Sequence, residues 1–131
     1  MIGLVLITHG NLAASLVQCA AHVLGRQPER LVTLSAGHDE PREQMEAALR
    51  EAITQVDQGA GVLLLTDLFG ATPCNLAQGV IAAAPAGTLA GVAGISLPML
   101  LRAINYRQLP LAELQARVLA AGTECTAAFG H

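Results

Sequence analysis

The chain has 131 residues, 53% of them apolar and 13% charged, with a formal net charge of −3. At roughly 150 residues per domain this is material for one domain, residues 1–131, with ample apolar content for a core; a disordered tail, a collagen-like fibre and a disulfide-stapled mini-protein are excluded. Its seven cations are all arginine and lie scattered, so nucleic acid and anionic membrane surfaces find no clustered positive charge, and no phosphate clamp is evident.

The first element is Ile2–Ile7 (IGLVLI), apolar on both faces, as expected of a strand covered by helices on both sides. It belongs to the uncharged run Met1–Gly25, which lacks the basic start and the apolar length of a signal peptide. Gln18 before Cys19 likewise spoils a lipoprotein-type site. Asn11 is placed to cap a helix with Leu12, Leu16, Cys19, Ala20, Val23 and Leu24 on its inward stripe, closed by Gly25, with His22 on its flank. Leu31–Leu34 is the second strand. A turn at Gly37–Glu40, with His38 in a solvated loop, leads to Pro41 in a helical first turn. Met45, Ala48, Leu49, Ala52, Ile53 and Val56 then repeat at helical spacing.

Gly61–Thr66 (GVLLLT) is the third strand. Thr72-Pro73 predicts a hydroxyl cap followed by proline in the first helical position, and that helix runs to Ala83. Thr88–Ile95 is the fourth strand. Pro98 opens a helix to Tyr106, and Pro110 opens another to Gly122 with Leu111, Leu114, Val118 and Leu119 inward. The tail Thr123–Phe129 is predicted as a fifth strand, and His131 as a fraying end. Leu68–Leu101 carries no charge, but Pro73, Pro85 and Pro98 and several glycines break it up, so it is expected as buried soluble structure rather than a membrane span. Cys19, Cys74 and Cys125 are too far apart for a C-x-x-C pair. Their small apolar neighbours predict three buried small hydrophobes, their odd number argues for a reducing compartment, and the protein is expected in the cytoplasm.

Strands alternating with helices predict an α/β fold: an open, mostly parallel sheet with right-handed crossovers, flavodoxin-like with order 2-1-3-4. In such sheets ligands bind beyond the carboxyl ends of the strands, which directs attention to the residues after each strand. After the first comes Thr8-His9-Gly10-Asn11, and after the third Thr66-Asp67-Leu68-Phe69-Gly70-Ala71-Thr72-Pro73. An imidazole is largely neutral at pH 7, so it offers a lone pair. A carboxylate on one ring nitrogen would fix the tautomer and direct the other nitrogen outward as a nucleophile. Asp67 can do this for His9 if the first and third strands are neighbours. The helices starting after Asn11 and at Thr72 would offer backbone N–H groups to an anion, and Gly70 and Ala71 would let the backbone come close. The set suits a phosphoryl group on His9 Nε2. No second histidine or cysteine is placed to share a metal, so no metal or other cofactor is expected. Each residue has an ordinary alternative: an incidental strand-end histidine, and caps at Asp67 and Thr72.

Three segments, Ile2–Gly10 (IGLVLITHG), Gly61–Asn75 (GVLLLTDLFGATPCN) and Gly91–Leu101 (GVAGISLPMLL), resemble in order and separation the IIA domain of the mannose-type (mannose–fructose–sorbose) sugar phosphotransferase system, the PTS. The resemblance implies that His9 takes a phosphoryl group from the phosphohistidine of the carrier protein HPr and passes it to a IIB component, here on a separate chain. It also implies that Asp67 hydrogen-bonds the histidine, that Thr66, Gly70, Ala71 and Thr72 line the phosphoryl pocket, and that the chain is a homodimer with its final antiparallel strand exchanged. Ala71 stands where a second glycine is common, Thr72 where serine is common, and Leu68-Phe69 where a more polar pair occurs. An apolar docking rim of Leu12, Phe69, Leu97 and Met99 is expected. The same histidine chemistry would also serve a regulatory phosphoprotein or the PTS subunit of a dihydroxyacetone kinase. A tetrapyrrole metal chelatase would need a second ligand beside Asp67, and a histidine phosphatase would need arginine in place of Thr8.

Overall fold

The computed structural model describes residues 1–37 and 39–130, and among these the chain forms nine elements, strand and helix alternating up to a final pair of helices; the expectations for His38 and His131 fall outside them. They are β1 (Gly3–His9), α1 (Leu12–Leu24), β2 (Leu31–Ala36), α2 (Arg42–Val56), β3 (Val62–Thr66), α3 (Thr72–Ala83), β4 (Leu89–Ala93), α4 (Leu97–Asn105) and α5 (Leu111–Glu124). The strands form one sheet in the order β2-β1-β3-β4, and every neighbouring pair is parallel. β1 and β3 are therefore adjacent, with Ile7 opposite Thr66, so the loops that follow them emerge side by side.

Side chains alternate across the pleat, so each strand feeds two cores. Leu4 and Leu6 of β1, with Leu63 and Leu65 of β3, pack beneath α1, α4 and α5 beside Ala13, Leu100, Leu114 and Val118. Val5, Ile7, Val62 and Leu64 face the other way, against Met45, Leu49 and Val56 of α2 and Leu76, Ala77 and Val80 of α3. Gly3 begins β1 where α2 ends. A Cβ there would sit 2.5 Å from the Val56 carbonyl oxygen, so only glycine allows this approach.

At the amino ends of the strands, the buried Arg107 guanidinium closes the sheet. Nε donates to the Ile2 carbonyl at 2.9 Å, Nη2 to that of Arg30 at 2.6 Å, and Nη1 to that of Glu29. Burial pushes its pKa down to about 10; Arg26 adds to that push and Glu29 opposes it. It stays charged at neutral pH.

Several local expectations are corrected. The α1 stripe is rotated: Ala13 and Ala20 are buried while Leu12, Cys19 and Val23 are exposed. Alanine side chains let the helix lie close to the sheet and move the larger ones to its flank. Leu119 of α5 is likewise exposed. Of the three cysteines only Cys74 is buried. The expected strand over Thr123–Phe129 does not form: Thr123 and Glu124 finish α5, and residues 126–130 run irregularly with exposed side chains. Small and polar residues there provide no alternating apolar face to hold a strand in this chain.

Candidate functional site

The two glycine-containing loops after β1 and β3 meet at the carboxyl edge of the sheet. Gly10 (φ +52°) and Gly70 (φ +83°) turn the backbone into left-handed conformations that glycine adopts without strain. The second loop is held by Asn75, whose Nδ2 donates to the Gly70 carbonyl at 3.0 Å. The first is held by Thr8, fully buried on the α1 side, whose Oγ1 accepts from the Ala13 N–H at 2.8 Å. Thr8 thus supplies the side-chain cap expected of Asn11, which makes no capping hydrogen bond. Thr72 does not cap α3 either. Ala71 is the capping residue in extended conformation, and Thr72 and Pro73 form the first turn. The capping motif is displaced by one residue because Pro73 suits the second helical position as well as the first.

His9 and Asp67 are in contact. His9 Nδ1 lies 2.8 Å from Asp67 Oδ2, and the His9 backbone N–H donates to the same oxygen at 3.2 Å. An ionised carboxylate only accepts, so Nδ1 carries a proton in this contact, and in the neutral ring the lone pair is then on Nε2. Burial pushes the Asp67 carboxyl up, but the hydrogen bonds from the His9 side chain and backbone outweigh it and hold the pKa below the ordinary aspartate value. The His9 side chain is 51% exposed and that of Asp67 13%. The imidazole is reachable by another macromolecule while its orienting group is shielded, and Asp67 is no helix cap.

By strand alternation His9 follows Val5 and Ile7 onto the α2–α3 face. There it lines a cavity of about 300 Å³ with Ala36, Gly37, Glu40, Arg42, Met45, Thr72 and Pro73. Of the four residues expected around a phosphoryl group, only Thr72 lines this cavity. Gly70 and Ala71 shape the adjoining loop. Thr66 is buried and opens into a different cavity of about 360 Å³, beyond α3 along β4, with Phe69, Cys74 and Gln115. The cavity beside His9 draws on the starts of α2 and α3, rather than α1 and α3. Arg42 and Glu40 bring a cation and a carboxylate to it; from the sequence Glu40 is expected only as part of the turn after β2, and Arg42 is not singled out. Of the expected apolar rim, Leu12 and Phe69 are exposed, at 41% and 75%, and Leu97 is half-buried. Met99 is core, packed near Gly122. Among the described residues no group of three or more His, Cys, Asp or Glu side chains could hold a metal, and no helix is long and apolar enough to cross a membrane.

A flavodoxin-like α/β domain that presents a carboxylate-oriented histidine at the carboxyl edge of its sheet defines a class of group-transfer domain. Residues 3–119 match the family described as PTS system fructose IIA component, and the chain belongs to that family, the mannose/fructose-type EIIA components of the sugar phosphotransferase system. The PTS system fructose-specific EIIA component of Bacillus subtilis (strain 168) is 27% identical over 108 residues, covering 82% of this chain and 72% of that protein. Among solved structures, a phosphotransferase system component EIIA from Streptococcus agalactiae has a TM-score of 0.87 at 22% identity, covering 98% of this chain and 97% of its own. A mannose/sorbose-specific IIA subunit from Enterococcus faecalis also reaches 0.87, at 23% identity and 99% and 96% coverage. At such identities these two likenesses establish the fold. PTS EIIA components are in general phosphotransferases.

Proposed function

We propose that this protein is a phosphocarrier that accepts a phosphoryl group on His9 Nε2 from phosphorylated HPr and passes it to a IIB component during sugar uptake. The observation that carries the reading is the 2.8 Å contact between His9 Nδ1 and Asp67 Oδ2, in a chain of this family. In the transfer, the Nε2 lone pair forms the new N–P bond while the donor's P–N bond breaks. That bonding pair remains on the donor nitrogen, and the Nδ1 proton stays with His9, facing Asp67. The imidazole gains positive character as the bond forms, and the Asp67 carboxylate stabilises it. Thr72 at the start of α3 supplies a hydroxyl and a backbone N–H, and Gly70 and Ala71 shape the loop that brings that helix end to the site. Thr66 is left out of this role, since it faces the other cavity. The histidine-to-histidine exchange moves a metaphosphate-like group with little covalent work by the protein, so positioning and charge stabilisation dominate.

Exposed Leu12 and Phe69 flank the loops of the site and suit transient docking of the carrier. A homodimer is part of the proposal: β4 ends the sheet, no further strand among the described residues pairs with it, and an extended segment from a second copy would cover its outer edge. The test is incubation with phosphoenolpyruvate, enzyme I and HPr, followed by mapping of acid-labile phosphate. Label on His9 is the expected result; label elsewhere, or none, overturns the reading.

A further inference from the structure

The cavity beside His9 contains a cation that the proposed transfer does not yet use. Asp67 occupies Nδ1 from the β3 side, so Nε2, across the ring, is directed away from β3. On the β1–β2 side lies the cavity that His9 shares with Arg42 and Glu40. Arg42 is the first residue of α2 and exposed, and among the described residues it makes no ion pair. Its Nη2 rests alongside α3, 3.9 Å from where a Cβ on Gly79 would stand, while the residue itself lines the cavity. An exposed arginine changes rotamer on the picosecond-to-nanosecond scale, so its guanidinium can sweep the cavity from one fixed stem.

Resting on the phosphocarrier reading above, we propose that Arg42 contacts the phosphoryl group carried on His9 Nε2, moving from its place beside Gly79 to meet the dianion, and that Glu40 opposes it. A guanidinium matches phosphate oxygens in geometry as well as charge. The phosphoryl group brings about two negative charges into a cavity whose other charged side chain is a carboxylate, which repels it. Arg42 therefore favours the phosphorylated over the free state of His9, and Glu40 keeps that preference small enough for the group to be passed on.

The test uses the whole chain, labelled with ¹⁵N and phosphorylated chemically with phosphoramidate, so that no partner protein is needed. The Arg42 Nε–H resonance is expected to shift on phosphorylation, a change that a purely structural Arg42 would not show. In parallel, Arg42→Gln should shorten the lifetime of phospho-His9 and slow acceptance from phospho-HPr by roughly five- to tenfold. Arg42→Lys should restore part of the loss, and Glu40→Gln should lengthen the lifetime. An unmoved Nε–H together with wild-type behaviour of Arg42→Gln, on a chain that does carry label on His9, overturns this inference alone. A chain that takes no label on His9 from either donor overturns the phosphocarrier reading and this inference with it.

Discussion

The two ends of the β1–β3 pair treat their polar groups in opposite ways. At the amino end, three backbone carbonyls are met by one buried guanidinium, Arg107. At the carboxyl end, Asp67 Oδ1 and Thr66 Oγ1 are buried without a hydrogen-bond partner among the described residues, and the His9 side chain stands half in solvent. Buried polar groups are normally satisfied because leaving one unmet costs about 1–3 kcal/mol. One end of the sheet thus meets its polar groups internally, and the other leaves an oxygen of Asp67 unmet beside His9.

Substitutions can break that contrast. The largest effect is expected from His9→Ala, which should abolish ³²P acceptance from phospho-HPr while circular dichroism stays that of the parent and stability changes by less than about 1 kcal/mol; transfer that persists would remove His9 from the mechanism. Asp67→Ala should slow acceptance by about 10- to 100-fold without eliminating it, because it frees the ring to rotate and to change tautomer. An unchanged rate would reduce Asp67 to a loop residue. Arg107→Ala acts at the other end. It removes the partner of the Ile2 and Glu29 carbonyls, while the Arg30 carbonyl keeps the Leu4 N–H, so denaturant titration should record a loss of about 2–3 kcal/mol, with acceptance by the folded fraction unaffected.

Smaller changes sharpen the picture. Thr66→Val removes a hydroxyl with no partner and keeps the shape, so stability should change by less than about 1 kcal/mol and acceptance not at all; slowed acceptance would return Thr66 to the phosphoryl site. The smallest effect concerns pH. The folded pKa of Asp67 lies below its unfolded value near 3.8, so its pairing with His9 stabilises the fold above that value and loses this effect as pH falls through the folded pKa. Asp67→Asn should therefore flatten the acid limb of the stability profile below about pH 4, by less than about 1 kcal/mol for a pair this exposed.

Much of this was legible in the chain. Apolar runs such as Ile2–Ile7 and Gly61–Thr66, separated by helical patterns, dictate a parallel sheet, and the expected order places His9 beside Asp67. The family resemblance quoted from three segments is matched by the family assignment over residues 3–119. Capping was less legible, because it depends on contacts several residues apart: Thr8 caps α1 from the end of a strand, where Asn11 stood at the expected position. Which face of α1 turns inward depends on how closely the helix approaches the sheet, and hydropathy favoured Leu12 and Val23 over the alanines that make the approach possible. Met99 read as rim because an apolar residue after a strand looks the same from sequence whether it faces solvent or core. Arg42 was invisible because the cavity it lines joins loops from two crossovers, and no local pattern reports that.

Thr8 and His9 are neighbours in sequence and serve opposite sides of the sheet, one tying down α1 and the other opening over α2 and α3. Which side receives the imidazole is therefore settled by a count of residues from Leu4, odd or even. Deleting one residue within β1 would deliver the histidine to the wrong side and put the threonine in its place, though composition and hydropathy would barely register the change; removing a second would bring the imidazole back. The position of the nucleophile is thus carried by arithmetic along a single strand, and insertions tolerated freely in the loops have no equivalent between Gly3 and His9.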